Sequence, residues 1–176
     1  YDNAGTLLGS VDHNASSGLS FNTGRGDGLR TAADIRSHYV YMTARSPDAA
    51  TGPIWLAAWD SRTRAFVGKV QVDDQGAGFA NDRTGLAVDA LDRVCVAYIH
   101  KPTADFQNQI AARVFSFNGT SFTPLTHSFF PFVNYDPDGI ASANGDGITA
   151  AGPSVAMTTR QICIAAKATI NSTNNP

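Results

Sequence analysis

The sequence predicts an all-β protein built from repeated four-stranded antiparallel units, and three observations carry that expectation. The first is a segment that recurs: "GLRTAADIRSHYVYMTAR" from Gly28 aligns with "GLAVDALDRVCVAYIHK" from Gly85, bringing Gly28 over Gly85, Arg36 over Arg93 and Tyr41 over Tyr98. After one small slip, "GPSVAMTTRQICIAAKA" from Gly152 continues the series. The second is a companion segment, "IWLAAWDSRTRAFVG" from Ile54, which matches "IAARVFSFNGTSFTP" from Ile110, with Trp59 over Phe115 and Phe66 over Phe122. The third is a cysteine between β-branched residues followed by alanine, at Cys95 in mid-chain and again at Cys163. Self-similarity at a fixed spacing marks a repeat architecture.

Taken in order, each segment reads as strand, turn, strand. Residues 1–27 hold a third and fourth strand, "TLLGSVDHNASSGLS" from Thr6, with Asp12 over Asp60 and Asn14 over Arg62. Residues 28–72 and 85–126 each hold all four strands, and residues 152–170 hold a first and second strand. Units of this length with four short antiparallel strands are the pattern of a β-propeller blade, in which radial stacking buries both faces of each sheet. A second strand buried on both faces has no need of apolar/polar alternation. Cys95 and Cys163 are therefore expected at equivalent core positions, as free thiols that act as small hydrophobes. Equivalent positions on different blades do not meet the Cα separation of about 7 Å or less that a disulfide requires.

About three blades cannot close a ring that needs about four to eight. The expectation is a circularly permuted propeller that starts at a third strand, ends at a second strand, and is closed by another copy of itself or by the remainder of a longer chain. Two copies would give a six-bladed ring with twofold symmetry.

Composition bounds the function. Charged residues make up 16% of the 176-residue chain, well under the usual quarter, and the net charge is −2, so no basic footprint for nucleic acid is present. Lysine occurs only at Lys69, Lys101 and Lys167, which leaves Gly, Ser, Thr and Asn to coat the surface. That surface suits an extracellular or cell-surface protein. No apolar run is long enough for a spanning helix, and the first residue, Tyr1, reads as that of a mature or trimmed chain. Three acceptor sequons occur, at Asn14, Asn118 and Asn171. The two cysteines lack the clustering of a metal or redox site.

The stretch "GLAVDALDRVCVAYIHKP" with "QIAARVFSFNGTSFTPLTHS" resembles a blade of the secreted bacterial propellers that include sialidase-like and lectin-like proteins. Val88-Asp89 and Phe117-Asn118-Gly119-Thr120-Ser121-Phe122 carry the match, which covers most of residues 28–131. A sialidase-like Asp box, Ser-x-Asp-x-Gly-x-Thr-Trp, is one residue longer than Ser116–Phe122 and has Asp where this chain has Asn118. The resemblance implies a propeller architecture and either a carbohydrate-binding, lectin-like module or a glycan-acting enzyme that forms part of a longer chain. A structural subunit of a surface assembly is a third expectation.

Candidate sites collect on one face. In a propeller the fourth-to-first and second-to-third connections share an end, and here the fourth-to-first connections are rich in Gly and acid: "NTGRGDG", "DDQGAGFANDRTG" and "NYDPDGIASANGDGITAAG". Asp27, Asp82, Arg83 and Asp146 stand just ahead of the successive first strands and are the expected ligand-binding residues. Asn134-x-Asp136-x-Asp138-Gly139 has the oxygen-ligand spacing of the first half of a calcium loop. Its twelfth position is Gly145 rather than a bidentate Glu, with Asp146 one residue late. Calcium on Asn134, Asp136 and Asp138 is one reading, and ordinary turn chemistry is the other. Arg25-Gly26-Asp27 reads as a turn. His13, His38, His100 and His127 share no metal-ligand spacing, Asp12 and Asp60 read as turn formers at the opposite end, and Tyr41, Tyr98 and the strand aromatics read as packing. The catalytic residues of the enzyme alternative are left unknown: glycosidase chemistry would need two carboxylates about 5–9 Å apart, and a sialidase-like reading would add an arginine cluster and a tyrosine nucleophile.

Overall fold

The computed structural model describes residues 30–33, 37–45, 53–74, 80–101, 109–131, 147–148, 152–166 and 168–169. Every regular element among them is a β-strand, as the sequence predicts. β1 (Arg30–Ala33), β2 (Tyr39–Arg45), β3 (Ile54–Asp60) and β4 (Ala65–Gln71) pair in chain order as one antiparallel meander. β5 (Ala80–Val88), β6 (Arg93–Lys101), β7 (Gln109–Phe117) and β8 (Phe122–Pro124) repeat it as a second. β9 (Gly147–Ile148), β10 (Ser154–Met157), β11 (Ile162–Ala165) and β12 (Ala168–Thr169) form two separate two-stranded sheets, β9 with β12 and β10 with β11, the latter packing on the second meander as the start of a third unit.

Hairpin turns follow from side chains that supply acceptors to the backbone. Asp89 Oδ1 accepts the N–H groups of Leu91 (2.8 Å) and Arg93 (3.0 Å), closing the β5–β6 turn. Thr158 Oγ1 does the same for Arg160 (3.2 Å) and Gln161 (3.1 Å) between β10 and β11. At the β3–β4 and β7–β8 turns the acceptors are Asp60 Oδ1, to Arg62 N at 2.8 Å, and Asn118 Oδ1, to Thr120 N at 3.0 Å and Ser121 N at 2.9 Å. Short Asp, Asn and Thr side chains close such turns because they reach the N–H two or three residues on.

The meanders stack in layers. β5 lies beside both β1 and β10, and β4 lies beside β8, so like strands adjoin like strands. Tyr41, Ile54, Leu56 and Ala58 of the first sheet meet Val94, Val96, Tyr98, Phe115 and Phe117 of the second in one buried cluster. On the other side of the second sheet, Cys95, Ala97, Ile99, Ile110, Ala112 and Val114 form a second cluster against Val155, Met157 and Ile164. Successive β6 residues thus enter opposite layers, which is why Val94 through His100 are all buried and the strand lacks alternation. Each fully buried aliphatic side chain contributes about 1.5–3 kcal/mol.

Glycine sets how closely the layers approach. A Cβ on Gly85 would lie 2.5 Å from the Pro153 carbonyl oxygen and 2.9 Å from Val155 Cγ2, and one on Gly68 would lie 2.7 Å from the Thr120 carbonyl oxygen. Polar latches run across the same gaps. Tyr41 donates to Asp92 Oδ1 (2.9 Å), the Thr43 and Thr84 hydroxyls meet at 2.6 Å, Arg113 donates to the Val72 carbonyl (2.9 Å), and Arg93 donates to the Thr159 carbonyl (2.7 Å).

Four expectations change. Cys163 is exposed whereas Cys95 is buried: their backbone positions are equivalent, opposite Ala156 and Ala87 respectively, but only Cys95 has a further layer against it among the described residues. Tyr41 and Tyr98 do not hold equivalent positions; they project from opposite sides of their own sheets into the same interlayer cluster. The cross-strand aromatic pairs are Trp59 with Phe66 and Phe117 with Phe122, so Phe117 rather than Phe115 takes the place of Trp59, and Phe115 stands opposite Pro124. The second unit's first strand opens at Ala80, ahead of Gly85, because a register shift between Asp82 and Thr84 lets pairing with β6 continue through the irregularity. The third and fourth strands expected within residues 1–27 lie outside the described residues.

Gly85→Ala is expected to destabilise the protein by about 1–3 kcal/mol, because the obstruction is the Pro153 backbone rather than a movable side chain. Urea unfolding of the variant beside the parent measures it.

Candidate functional site

Strand direction assigns every connection to one of two ends. The β1–β2, β3–β4, β5–β6, β7–β8 and β10–β11 turns share one end; the longer connections after β2, β4, β6 and β8 leave from the other. Asp73 and Asp74, just after β4, and Asp82 and Arg83, in the first half of β5, stand at the long-connection end. Asp27, Asn134, Asp136, Asp138 and Asp146 lie outside the described residues.

Arg83 stands at the irregularity in β5. Asp82 pairs with Ile99 and Thr84 with Tyr98, leaving Arg83 as the extra residue between them, at φ 30°. A bulge of this kind re-aims a side chain relative to its strand, and a positive φ on a non-glycine residue costs of order 1–3 kcal/mol. The next residue is locked: buried Thr84 shares its hydroxyl hydrogen bond with Thr43 of the first sheet. On the other side, a Cβ on Gly152 would come within 3.2 Å of Arg83 Cβ, so the third unit runs directly past the arginine. Half-buried Arg83 is therefore held between the first-sheet contact at Thr43 and the start of the third unit.

A second polar group occupies the same end, nearer β4 and β8. Buried Asp73 accepts Ile54 N–H at 2.9 Å and Gln71 Nε2 at 3.4 Å. Desolvation raises its carboxyl above the ordinary value, with those hydrogen bonds opposing. Asp74 Oδ2 accepts Ser128 N–H at 3.1 Å, with Arg113 at 3.7 Å and the exposed ring of His127 at 3.6 Å. Arg113 also donates to the Thr126 carbonyl, and the Ser128 hydroxyl meets the Tyr98 hydroxyl at 3.1 Å. Burial pushes Tyr98 up to about 12. The Ser128 hydroxyl faces a protonated phenol rather than an imidazole, so the arrangement is not a nucleophile with its base. What it does is clamp the chain leaving β4 to the chain leaving β8. Among the described residues no cluster of three or more His, Cys, Asp or Glu has metal-ligand geometry.

At the turn end, Asp60 accepts the Arg62 and Thr63 N–H groups and lies 3.5 Å from His38 Nε2. Asp60 is a turn former, as its position in the repeat predicts. Fully buried Asp89 binds the Arg93 guanidinium through Oδ2 at 2.6 Å and 2.7 Å. Burial alone would raise the Asp89 carboxyl, but hydrogen bonds from Arg93 and the Leu91 N–H outweigh it and hold the acid below its ordinary value. Burial also depresses His100, at the far end of β6, and raises the Cys95 thiol to about 12, leaving that cysteine inert.

Sequence reasoning overlooked three of these groups: the Thr43–Thr84 bridge, Arg113 and Asp92. Arg113 carried a signal, being a cation set into an apolar strand. The threonines carried none, because their partnership joins residues 41 positions apart. No known protein family, curated protein or solved structure matches the chain.

Acid should destabilise the fold in two steps. His100 has a lowered folded pKa, so its contribution is complete above the unfolded value of about 6.5 and is lost as pH falls through the lowered one. Asp89 is also depressed, so its contribution is complete above about 3.9 and disappears as pH falls through its folded value. Unfolding free energies measured between pH 8 and pH 3 are expected to show the first loss and the onset of the second, with His100→Asn removing the first. Asp89→Ala is expected to cost about 2–3 kcal/mol at neutral pH by stripping a charged acceptor from buried donors.

Proposed function

We propose that the chain is an extracellular β-propeller module that binds carbohydrate, or another polar surface ligand, through its long-connection end. The observation that carries this reading is the stacking of two four-stranded meanders and the start of a third, with first strands adjacent and fourth strands adjacent. Repeated sheets stacked in that order send all their long connections to one end. Ligands of concave repeat assemblies bind where such loops converge.

The chemistry of those loops suits a neutral, hydroxyl-rich ligand. They supply Asp27, Asp82 and Asp146 as acceptors and Arg83 as a forked donor, against a background of Gly, Asn, Ser and Thr with little net charge. Arginine presents several N–H groups in fixed geometry, which favours paired contacts to vicinal oxygens. Half-buried Trp55, with Lys69 Nζ 5.6 Å from its ring, offers an aromatic face at the same end. Calcium, held by Asn134, Asp136 and Asp138, belongs to this reading as a loop-ordering ion.

A glycan array, run with and without a calcium chelator, tests the proposal. Binding is expected, with a loss of about tenfold or more in Arg83→Ala, and chelation is expected to weaken it. No binding to any glycan would overturn the carbohydrate reading, and turnover of a fluorogenic glycoside panel would replace it with a hydrolase.

A further inference from the structure

We infer that Trp55 and Lys69 form a sugar subsite at the long-connection end that takes an anionic hexopyranose, a hexuronate unit of the glycan. The inference rests on the carbohydrate reading above and adds one acidic unit to the neutral part held by the loops.

Strand alternation brings the two residues together. Ile54, Leu56 and Ala58 of β3 face the second sheet in the buried cluster, so Trp55, Ala57 and Trp59 stand on the opposite face. β4 pairs with β3 in register, with Gln71 opposite Trp55 and Lys69 opposite Ala57. Lys69 is thus the diagonal neighbour of Trp55 on that face, and its Nζ lies 5.6 Å from the centre of the indole.

The two tryptophans of this face have different surroundings. Trp59, toward the turn end, is buried with Met42 and Ala57 and packs edge-on against Phe66 at 5.7 Å. Trp55, nearer the long connections, is half-buried, and its neighbours Lys69 and Gln71 are exposed. One end of the face is core, and the other is an aromatic surface with a polar rim.

That combination suits a pyranose. A sugar ring presents C–H groups on its flat side and oxygens around its edge, so an indole desolvates the first while polar side chains at the rim meet the second. The rim is held in place: Gln71 Nε2 donates to the Asp73 carbonyl at 3.3 Å and to its carboxylate at 3.4 Å. Buried Asp73 also accepts the Ile54 N–H, so this acid is turned to the interior while the Lys69 ammonium stands at the surface. A carboxylate on the edge of a stacked ring comes to the rim of the same indole that carries the ammonium. Lysine is a compact point charge with rotatable donors, which pairs with such a carboxylate without demanding one geometry.

Titration with trigalacturonate, beside its methyl ester as the uncharged counterpart, tests this. The chain has two tryptophans, and Trp59 is buried, so a change in tryptophan emission reports on Trp55. The acid is expected to bind with such a change. Its affinity is expected to fall about tenfold in Trp55→Ala and about three- to fivefold in Lys69→Gln, with the lysine effect shrinking as salt is added. Binding of the ester is expected to be weaker and indifferent to Lys69→Gln. Should Trp55→Ala fail to fold, Trp55→Phe keeps an aromatic face and is expected to retain binding by calorimetry. An ester bound as tightly as the acid, an acid affinity untouched by Lys69→Gln, binding without an emission change, or no binding of the acid would each overturn the subsite. Array glycans whose binding falls in Arg83→Ala but not in Trp55→Ala would leave the binding proposal standing while the subsite falls, so the two failures are distinguishable.

Discussion

The second sheet is buried on both faces, and the rest of the structure follows from that constraint. β6 has no side free for water, so its residues are apolar without alternation, and each neighbour must present a matching apolar layer. Tyr41, Ile54 and Leu56 serve one side, and Val155, Met157 and Ile164 the other. Close approach then demands glycine where backbone meets backbone, at Gly68 and Gly85. Side chains large enough to fill the gap elsewhere are aromatic: Tyr39, Tyr41, Phe117 and Phe122 interlock with tilted and edge-on rings.

Polar groups close the hairpins within each layer, and a few of them also act between layers. Tyr41 reaches Asp92, Thr43 reaches Thr84, Arg113 reaches Val72, and Arg93 reaches Thr159, each joining one unit to the next. Hydrophobic contact is tolerant of sliding, whereas a hydrogen bond that must be satisfied in a buried gap is not. These bonds therefore fix the offset of one sheet on another. That offset in turn places Arg83, which lies between the locked Thr84 and the passing backbone of Gly152. The candidate ligand-binding arginine is held by the stacking itself.

The two cysteines show how one local pattern acquires two environments. Both sit opposite an alanine on the first strand of their hairpin, and both are free. A layer lies over one and makes it a core residue with a raised thiol pKa. The other is accessible, and the strand that carries it has the composition of a buried one. Cysteine burial here reports how many layers are stacked rather than what the strand encodes.

The sequence by itself determined the strands of the two four-stranded meanders and of the β10–β11 hairpin, with their turns and order of pairing, since these depend on neighbours a few positions away: Asp60, Asp89, Asn118 and Thr158 each close a hairpin with their own backbone. It also identified Asp60 as a turn former. Tertiary structure alone decided which face of each strand meets which neighbour, and so separated Tyr41 from Tyr98 and Cys95 from Cys163. It decided too that Arg83 falls at a bulge and that Asp74, Arg113 and Ser128 converge. The reason is range: hairpin chemistry is written in adjacent residues, whereas the facing of one sheet on another is set by contacts between residues tens of positions apart, which no local pattern encodes.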